Sequence, residues 1–232
     1  MLVKTEGEMK IIALIGSPHG PKGNTGKLTR IVLEGAESQG AKTETVYLTG
    51  KNVSFCKACD ACHRKGRCPQ DDDFEAIKNK ILEADGLIVA SPNYIFNVSA
   101  QTKAFMDRCC GVIHCLAFEG KYGASVVTSG GGDEKQISKY INQFLITTGI
   151  QPVGSVWATM AKISGDVYPD GVRKSAFDLG SKLARSCENK PSYKNVDKKL
   201  ESFKERMRAL MLWRKQEWPY EYKYWQKHRG LE

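Results

Sequence analysis

Between Cys56 and Cys68 the chain reads Cys-Lys-Ala-Cys-Asp-Ala-Cys-His-Arg-Lys-Gly-Arg-Cys, and Pro69 follows. Three cysteines at spacing three and a fourth six residues on crowd four sulfur ligands into a loop too short to hold a hydrophobic core of its own. Closely spaced thiolates suit iron–sulfur clusters, zinc or Cu(I). Zinc knots usually separate two Cys-x2-Cys pairs by a longer spacer, whereas the overlapping triplet suits one face of a cubane. Iron–sulfur ligation by Cys56, Cys59, Cys62 and Cys68 is therefore the leading reading, with a zinc site as the alternative. His63 and His114 are not expected to be ligands, because four cysteines already complete a cluster. Cys109, Cys110 and Cys115 are expected to be buried packing residues on a helix.

Three further stretches carry binding chemistry. Gly16-Ser17-Pro18-His19-Gly20-Pro21-Lys22-Gly23-Asn24-Thr25 follows an apolar run and opens an amphipathic pattern, so it offers donors and a positive helix end to a phosphate. It has neither Gly-x-Gly-x-x-Gly nor the Gly-Lys-Ser/Thr of a nucleotide P-loop, which favours a phosphomonoester over a dinucleotide or ATP. Ser91-Pro92-Asn93-Tyr94-Ile95-Phe96-Asn97 supplies aromatic rings and amides for a planar heterocycle, and Ser129-Gly130-Gly131-Gly132 lets main chain approach a ligand closely. On one sheet edge the three loops describe a flavin mononucleotide site.

Apolar runs at Lys10–Gly16, Thr43–Leu48, Gly86–Ala90, Ala124–Thr128 and about Pro152–Ala158 are expected strands. Helices are expected after Thr25 (Leu28, Ile31, Val32, Ala36), after Asp71–Asp73 (Phe74, Ile77, Ile81, Leu82), and over about Ser99–His114, Glu134–Thr148 and Ser175–Cys187. This alternation predicts an α/β doubly wound, five-stranded parallel sheet, with ligands outside the carboxyl ends of its strands. The expected organisation is an N-terminal extension (1–8), one domain (9–187) with the cysteine loop at 54–70, and a tail (188–232). In that tail a charged helix carrying Leu200, Phe203, Met207, Leu210 and Met211 is broken at Pro219 and leads to an aromatic segment, Trp218–Trp225. The apolar stripe is expected to dock on a neighbouring subunit.

The 232 residues, 41% of them hydrophobic, can build a sizeable core, and the longest apolar runs fall far short of a membrane span. No signal peptide opens the sequence, and eight cysteines in a chain this long do not read as a secreted disulfide framework, so a cytoplasmic protein is expected. The net charge of +9 resides largely in the tail, where basic residues interleave with aromatic ones; Glu205, Glu217 and Glu221 count against a nucleic-acid arm.

Gly16-Ser17-Pro18 with Gly23-Asn24-Thr25, Ser91-Pro92-x-Tyr94, and Lys103-x-Phe105-x-Asp107-Arg108 together resemble the flavodoxin-like NADPH-dependent FMN reductase superfamily from Lys10 to Cys187. The Cys-x2-Cys-x2-Cys-x5-Cys insertion is similar to the compact motif of its iron–sulfur flavoproteins. The resemblance implies FMN, a 4Fe-4S cluster on the four cysteines, and homo-oligomers, dimers or tetramers, in which the cluster of one chain approaches the flavin of another. It places Ser17, Asn24 and Thr25 on the FMN-phosphate loop, Pro92, Asn93, Tyr94 and Phe96 on the isoalloxazine loop, and Thr128, Gly130 and Gly131 on a third flavin loop. His19, Gly23 and Asn97 from the same loops complete the candidate set, with His19 standing where the family commonly has Arg.

The implied activity is electron transfer between a one-electron carrier such as ferredoxin, the cluster, FMN and an acceptor. The alternatives are an NAD(P)H-dependent FMN or quinone reductase with zinc or no metal in the loop, and a redox-sensing nucleic-acid-binding protein. Lys57, Arg64, Lys65 and Arg67 would raise a cluster's potential and attract an acidic donor, or are solvated loop charges. Asp107 and Arg108 are expected to pair on a helix surface or at a subunit contact, without a catalytic role.

Overall fold

The computed structural model describes residues 8–163 and 168–232. The expected N-terminal extension, Glu8 apart, lies outside the described residues. Strand β1 (Lys10–Ile15) shows why the chain becomes a layered sheet: Ile11, Ala13 and Ile15 enter one core and Ile12 and Leu14 another. A strand apolar on both faces is stable only between two helix layers.

The parallel strands run in the order β2 (Lys42–Tyr47), β1, β3 (Gly86–Tyr94), β5 (Tyr122–Ser129), β6 (Gln151–Thr159), and a two-residue strand β4 (Asn97–Val98) folds back on the end of β3. This is the flavodoxin-like order with one added hairpin. Helices α1 (Asn24–Glu37) and α7 (Asp170–Asn189) cover one face. They approach so closely that a Cβ on Gly35 would sit 2.0 Å from the Phe177 carbonyl oxygen, and one on Gly180 1.8 Å from that of Val32.

The other face carries α3 (Phe74–Glu83), α4 (Ala100–Arg108), α5 (Cys110–Cys115) and α6 (Glu134–Thr147). The single helix expected over Ser99–His114 is thus two helices that meet at Cys109. Chain order reverses between β1 and β3, so the loops leaving their carboxyl ends flank the switch point of the sheet.

The tail forms α8 (Lys194–Arg214) and α9 (Pro219–Arg229), with Pro219 in the first turn of α9, where a missing N–H costs nothing. Its apolar stripe does not wait for a neighbouring subunit. Met207 and Met211 pack with Leu116, Trp225 and Leu231 of the same chain into a third core, and Phe203 and Leu210 lie against it. The guanidinium of Arg229 donates to the carbonyls of Cys115 (2.9 Å) and Leu116 (3.2 Å), satisfying acceptors left at the end of α5. Among the described residues no helix is long and apolar enough to cross a membrane.

Candidate functional site

A cleft of about 500 Å3 opens at the switch point. Nine of the thirteen candidate flavin residues line it: Ser17, His19, Asn24 and Thr25 from the first loop, Pro92, Asn93 and Tyr94 from the third strand's end, and Thr128 and Gly130 from the fourth loop. Ser129 and Met160 complete the wall. The N-cap of α1 is Gly23, which has no side chain to satisfy the first helical N–H groups, so a donor-rich, positively polarised helix end is left beside Asn24 and Thr25.

The loops are tied together by neutral hydrogen bonds. The hydroxyls of Thr25 and Thr128 meet at 2.7 Å, joining the first and fourth loops. Ser99 donates from its hydroxyl to the Gly16 carbonyl (2.6 Å) and from its backbone to the Ser91 hydroxyl (2.9 Å), joining the first and third. Asn93 donates to the Gly132 carbonyl (2.9 Å), while its own side-chain oxygen is buried without a partner. An orphaned amide oxygen, the α1 terminus and space above Gly130 and Gly131 that even a Cβ would not fill make a donor and acceptor set that fits FMN.

Four candidates lie outside the cleft wall. Gly23 packs against Ser17 and His19 as the helix cap. Gly131 stands in open space, and Asn97 accepts from the Val98 N–H within the β3–β4 hairpin. Phe96 and Ile95 form the tip of that hairpin, 71% and 90% exposed, both with left-handed backbone (φ 60° and 48°). Such a turn normally takes Asn-Gly, and for bulky residues it stores strain. Glu134 was not singled out from sequence. It is buried beneath the glycine turn and accepts from Ser129 and from Thr159 (2.6 Å), while Ser129 accepts from the Gly132 N–H (2.8 Å). Burial raises its pKa, but these hydrogen bonds outweigh it and hold the carboxylate below its usual range.

The cysteine loop leaves β2 at the same carboxyl edge. Cys56 and Cys59 are exposed, and Cys62, within a short helix, α2 (Ala61–Lys65), and Cys68, three residues after it, are half-buried. Both ends of the loop are pinned by one buried ion pair. Asp72, at its far end, accepts from Arg108 through both oxygens (2.8 and 3.1 Å), from the Ser54 N–H (3.0 Å) and from the Phe74 N–H (3.0 Å). Arg108 also donates to the Ser54 carbonyl at the near end (3.0 Å) and lies 4.5 Å over the Phe74 ring.

Arg108 therefore pairs with Asp72 in the interior, not with Asp107 on a surface; Asp107 binds Lys103 at 2.5 Å instead. Adjacent helical residues point about 100° apart, so Asp107 and Arg108 do not face each other. Burial raises the Asp72 pKa, but Arg108 and the two backbone donors outweigh it and hold the carboxyl at about 2.

Cys62 and Cys68 open on to a cavity of about 670 Å3 whose walls include Phe74, Val112, Tyr220 and Tyr224, with Arg108 and Lys78 beside them. Tyr220 lies against Gly66, where a Cβ would meet its ring at 2.2 Å and where φ is +75°. The Nε of Arg108 is buried without a partner, and the Cys68 sulfur is among the groups that stabilise this guanidinium against the opposing effect of burial. The structure brings Cys62 and Cys68, but not the exposed Cys56 and Cys59, against this wall, and their sulfurs beside an unspent cationic donor fit one side of an anionic sulfur cluster. Arg64, Lys57, Lys65 and Arg67 are exposed, but Arg64 also braces the loop by donating to the Cys59 carbonyl (2.7 Å).

Behind the loop, sequence reading missed a convergence. Glu221 of α9, fully buried, accepts from His63 Nδ1 (2.6 Å) and His114 Nδ1 (2.9 Å), and His114 Nε2 lies 3.8 Å from Cys110 Sγ. Cys109 and Cys115 are buried as expected, but Cys110 is half-buried and part of this polar group. Burial opposes the charged forms. Hydrogen bonds to Cys110, Cys62 and Glu221 nevertheless push the His63 pKa up, and bonds to His114 and His63 push the Cys110 thiol down. Trp218 stacks on both imidazoles, and the Trp225 indole donates to the His114 carbonyl (2.9 Å), so these aromatic side chains are committed to packing rather than to stacking on bases.

Residues 9–165 match the family model described as NADPH-dependent FMN reductase. An iron–sulfur flavoprotein of Archaeoglobus fulgidus is 37% identical over 194 residues, covering 83% of this chain and 87% of that protein. An iron–sulfur flavoprotein of Methanosarcina thermophila is 39% identical over 151 residues, 63% of this chain and 78% of that one. Among solved structures, a flavodoxin, WrbA-like protein from Agrobacterium tumefaciens shares the fold at TM-score 0.56 and 17% identity, over 79% of this chain and 99% of that chain. An NADH:FMN oxidoreductase does so at TM-score 0.59 and 21% identity, over 77% and 89%.

Proposed function

Because the chain belongs to the NADPH-dependent FMN reductase family and, within it, to the iron–sulfur flavoproteins, and is a flavin-dependent oxidoreductase, we propose that the switch-point cleft holds FMN and the cysteine loop a 4Fe-4S cluster. The observation that carries the reading is that one chain presents both a neutral, donor-rich cleft at the switch point and four cysteines on a clamped loop at the same sheet edge. FMN exchanges electrons in pairs or singly and a cubane cluster singly, so together they would link one-electron to two-electron partners.

In this reading Asn24, Thr25 and the N–H groups of α1 receive the phosphate, Asn93 orients the ring system, and Thr128 and Gly130 close the third side. Cys56, Cys59, Cys62 and Cys68 ligate the cluster, with Arg108 donating to its sulfur. The exposed basic side chains of Lys57, Lys65 and Arg67 present a positive rim to an acidic, ferredoxin-like donor. The strained, exposed Ile95–Phe96 tip suits a homo-oligomer contact, dimer or tetramer, and eight cysteines, none in a disulfide, suit a reducing cytoplasm.

Anaerobic titration of the purified protein with reduced ferredoxin and, separately, with NADPH tests the electron path. The expected result is bleaching of both flavin and cluster absorption by ferredoxin. Reduction by NADPH alone of a protein without iron would support the simple FMN or quinone reductase instead.

A further inference from the structure

We propose that His63, Cys110 and His114 form a second metal site, using none of the four loop cysteines although His63 comes from their segment, that takes a single divalent ion of the zinc type and fastens the tail helix α9 to the core. One ligand atom from each of these residues lies within 4.8 Å of the others. The residues come from α2 and α5, and the group that aligns them, Glu221, comes from α9.

The alignment is what a metal requires. A carboxylate only accepts, so the bonds from both imidazoles to Glu221 place a hydrogen on each Nδ1 and leave each Nε2 as the ligating nitrogen. Both Nδ1 atoms bond the one Glu221 carboxylate, so each Nε2 faces away from it, and the ligand atoms of the two rings and Cys110 converge within 4.8 Å. Cys110 Sγ lies there, 3.8 Å from His114 Nε2. A carboxylate behind each ligating histidine is the arrangement that fixes the tautomer and raises ligand basicity in zinc sites. The Asp60 carboxylate is 3.8 Å from His63 Nε2 at the edge of this three-residue group, and Trp218 stacks over both rings at 4.5 and 4.9 Å.

Charge points the same way. Glu221 is fully buried and Cys110 half-buried, so a thiolate and a carboxylate share this interior with two stacked imidazoles. A divalent ion held there would balance the charge of that thiolate and carboxylate together. Two nitrogens and one sulfur, with the fourth position left to water, suit tetrahedral zinc, and cobalt(II) takes the same geometry with a visible spectrum.

The test is titration of the chelator-washed, full-length protein with Co(II), read as difference spectra. The expected result is one equivalent bound with a sulfur-to-cobalt charge-transfer band. Cys110→Ser should abolish that band, and Glu221→Gln should weaken binding about 10–100-fold. Cys56→Ser/Cys59→Ser, which disables the cysteine loop, should leave it intact. Circular dichroism checks that each variant is folded, and Glu221→Gln serves if Cys110→Ser is not. A band that survives Cys110→Ser and vanishes with the loop variant would overturn the proposal. So would a folded wild-type protein that binds no cobalt, which would mean the network is held by protons alone. Because a vacant cysteine loop would itself bind Co(II) through sulfur, the titration is read in the Cys56→Ser/Cys59→Ser background, where one equivalent should still bind and Cys110→Ser should remove it.

Discussion

The cleft and the cysteine loop share one sheet edge but are built from different forces. The cleft is held by neutral hydrogen bonds among hydroxyls, amides and main chain, as between Thr25 and Thr128 or Ser99 and Gly16. The loop, short of apolar side chains, is held by buried charge: Asp72 with Arg108 at its two ends, and Glu221 with His63 and His114 behind it. A neutral site can be assembled from strand-end motifs that the sheet brings together anyway. A loop with no core of its own needs directional, charged clamps, and these reach it from α4 and from the tail.

The largest effect should come from breaking a clamp. Arg108→Met leaves Asp72 buried and unpaired and should cost about 3–5 kcal/mol in urea unfolding, with loss of bound iron from the folded protein. Adding Asp72→Asn should recover part of that stability, whereas simple additivity of the two losses would show that the pair is not a unit. Next comes pH. With Asp72 held at about 2 in the fold against an ordinary 3.8, its contribution is fully present above pH 3.8 and is lost as pH falls through about 2, on the order of 2 kcal/mol. Acid unfolding followed by circular dichroism should lose this limb in Asp72→Asn; an unchanged acid limb would assign it to other carboxylates.

On the neutral side, Asn93→Leu should weaken FMN binding about tenfold in fluorescence titration, the worth of roughly one hydrogen bond, while leaving iron content unchanged. The smallest effect is expected at Trp213, 72% exposed on α8. Trp213→Ala should change stability by no more than about 0.5 kcal/mol.

The same contrast governs what was legible in sequence. Strand apolarity and helical spacing revealed the parallel sheet, because β1 and β3 carry residues for both cores in strict alternation. The cleft residues were legible because they lie on the loops that leave the strands' carboxyl ends, Asn24 and Thr25 at the helix start closing the first of them, where the fold class alone locates ligands. The clamps were not. Asp72 and Arg108 are 36 residues apart, and His63 and Glu221 158, and no local pattern links either pair. The tail was misread for a related reason. An apolar stripe such as Met207–Met211 shows that a face is covered, and only the fold-back at Pro219 reveals that the cover is this chain's own Leu116 and Trp225.

The central claim is that one chain carries two separable cofactor sites, and anaerobic quantitation of iron, sulfide and FMN in the wild type and in Cys59→Ala tests it most directly. The account predicts about four irons, about four sulfides and one FMN per wild-type chain, and FMN without iron in the folded variant. Wild-type protein with flavin but no iron, or a folded variant that loses flavin and iron together, would contradict it.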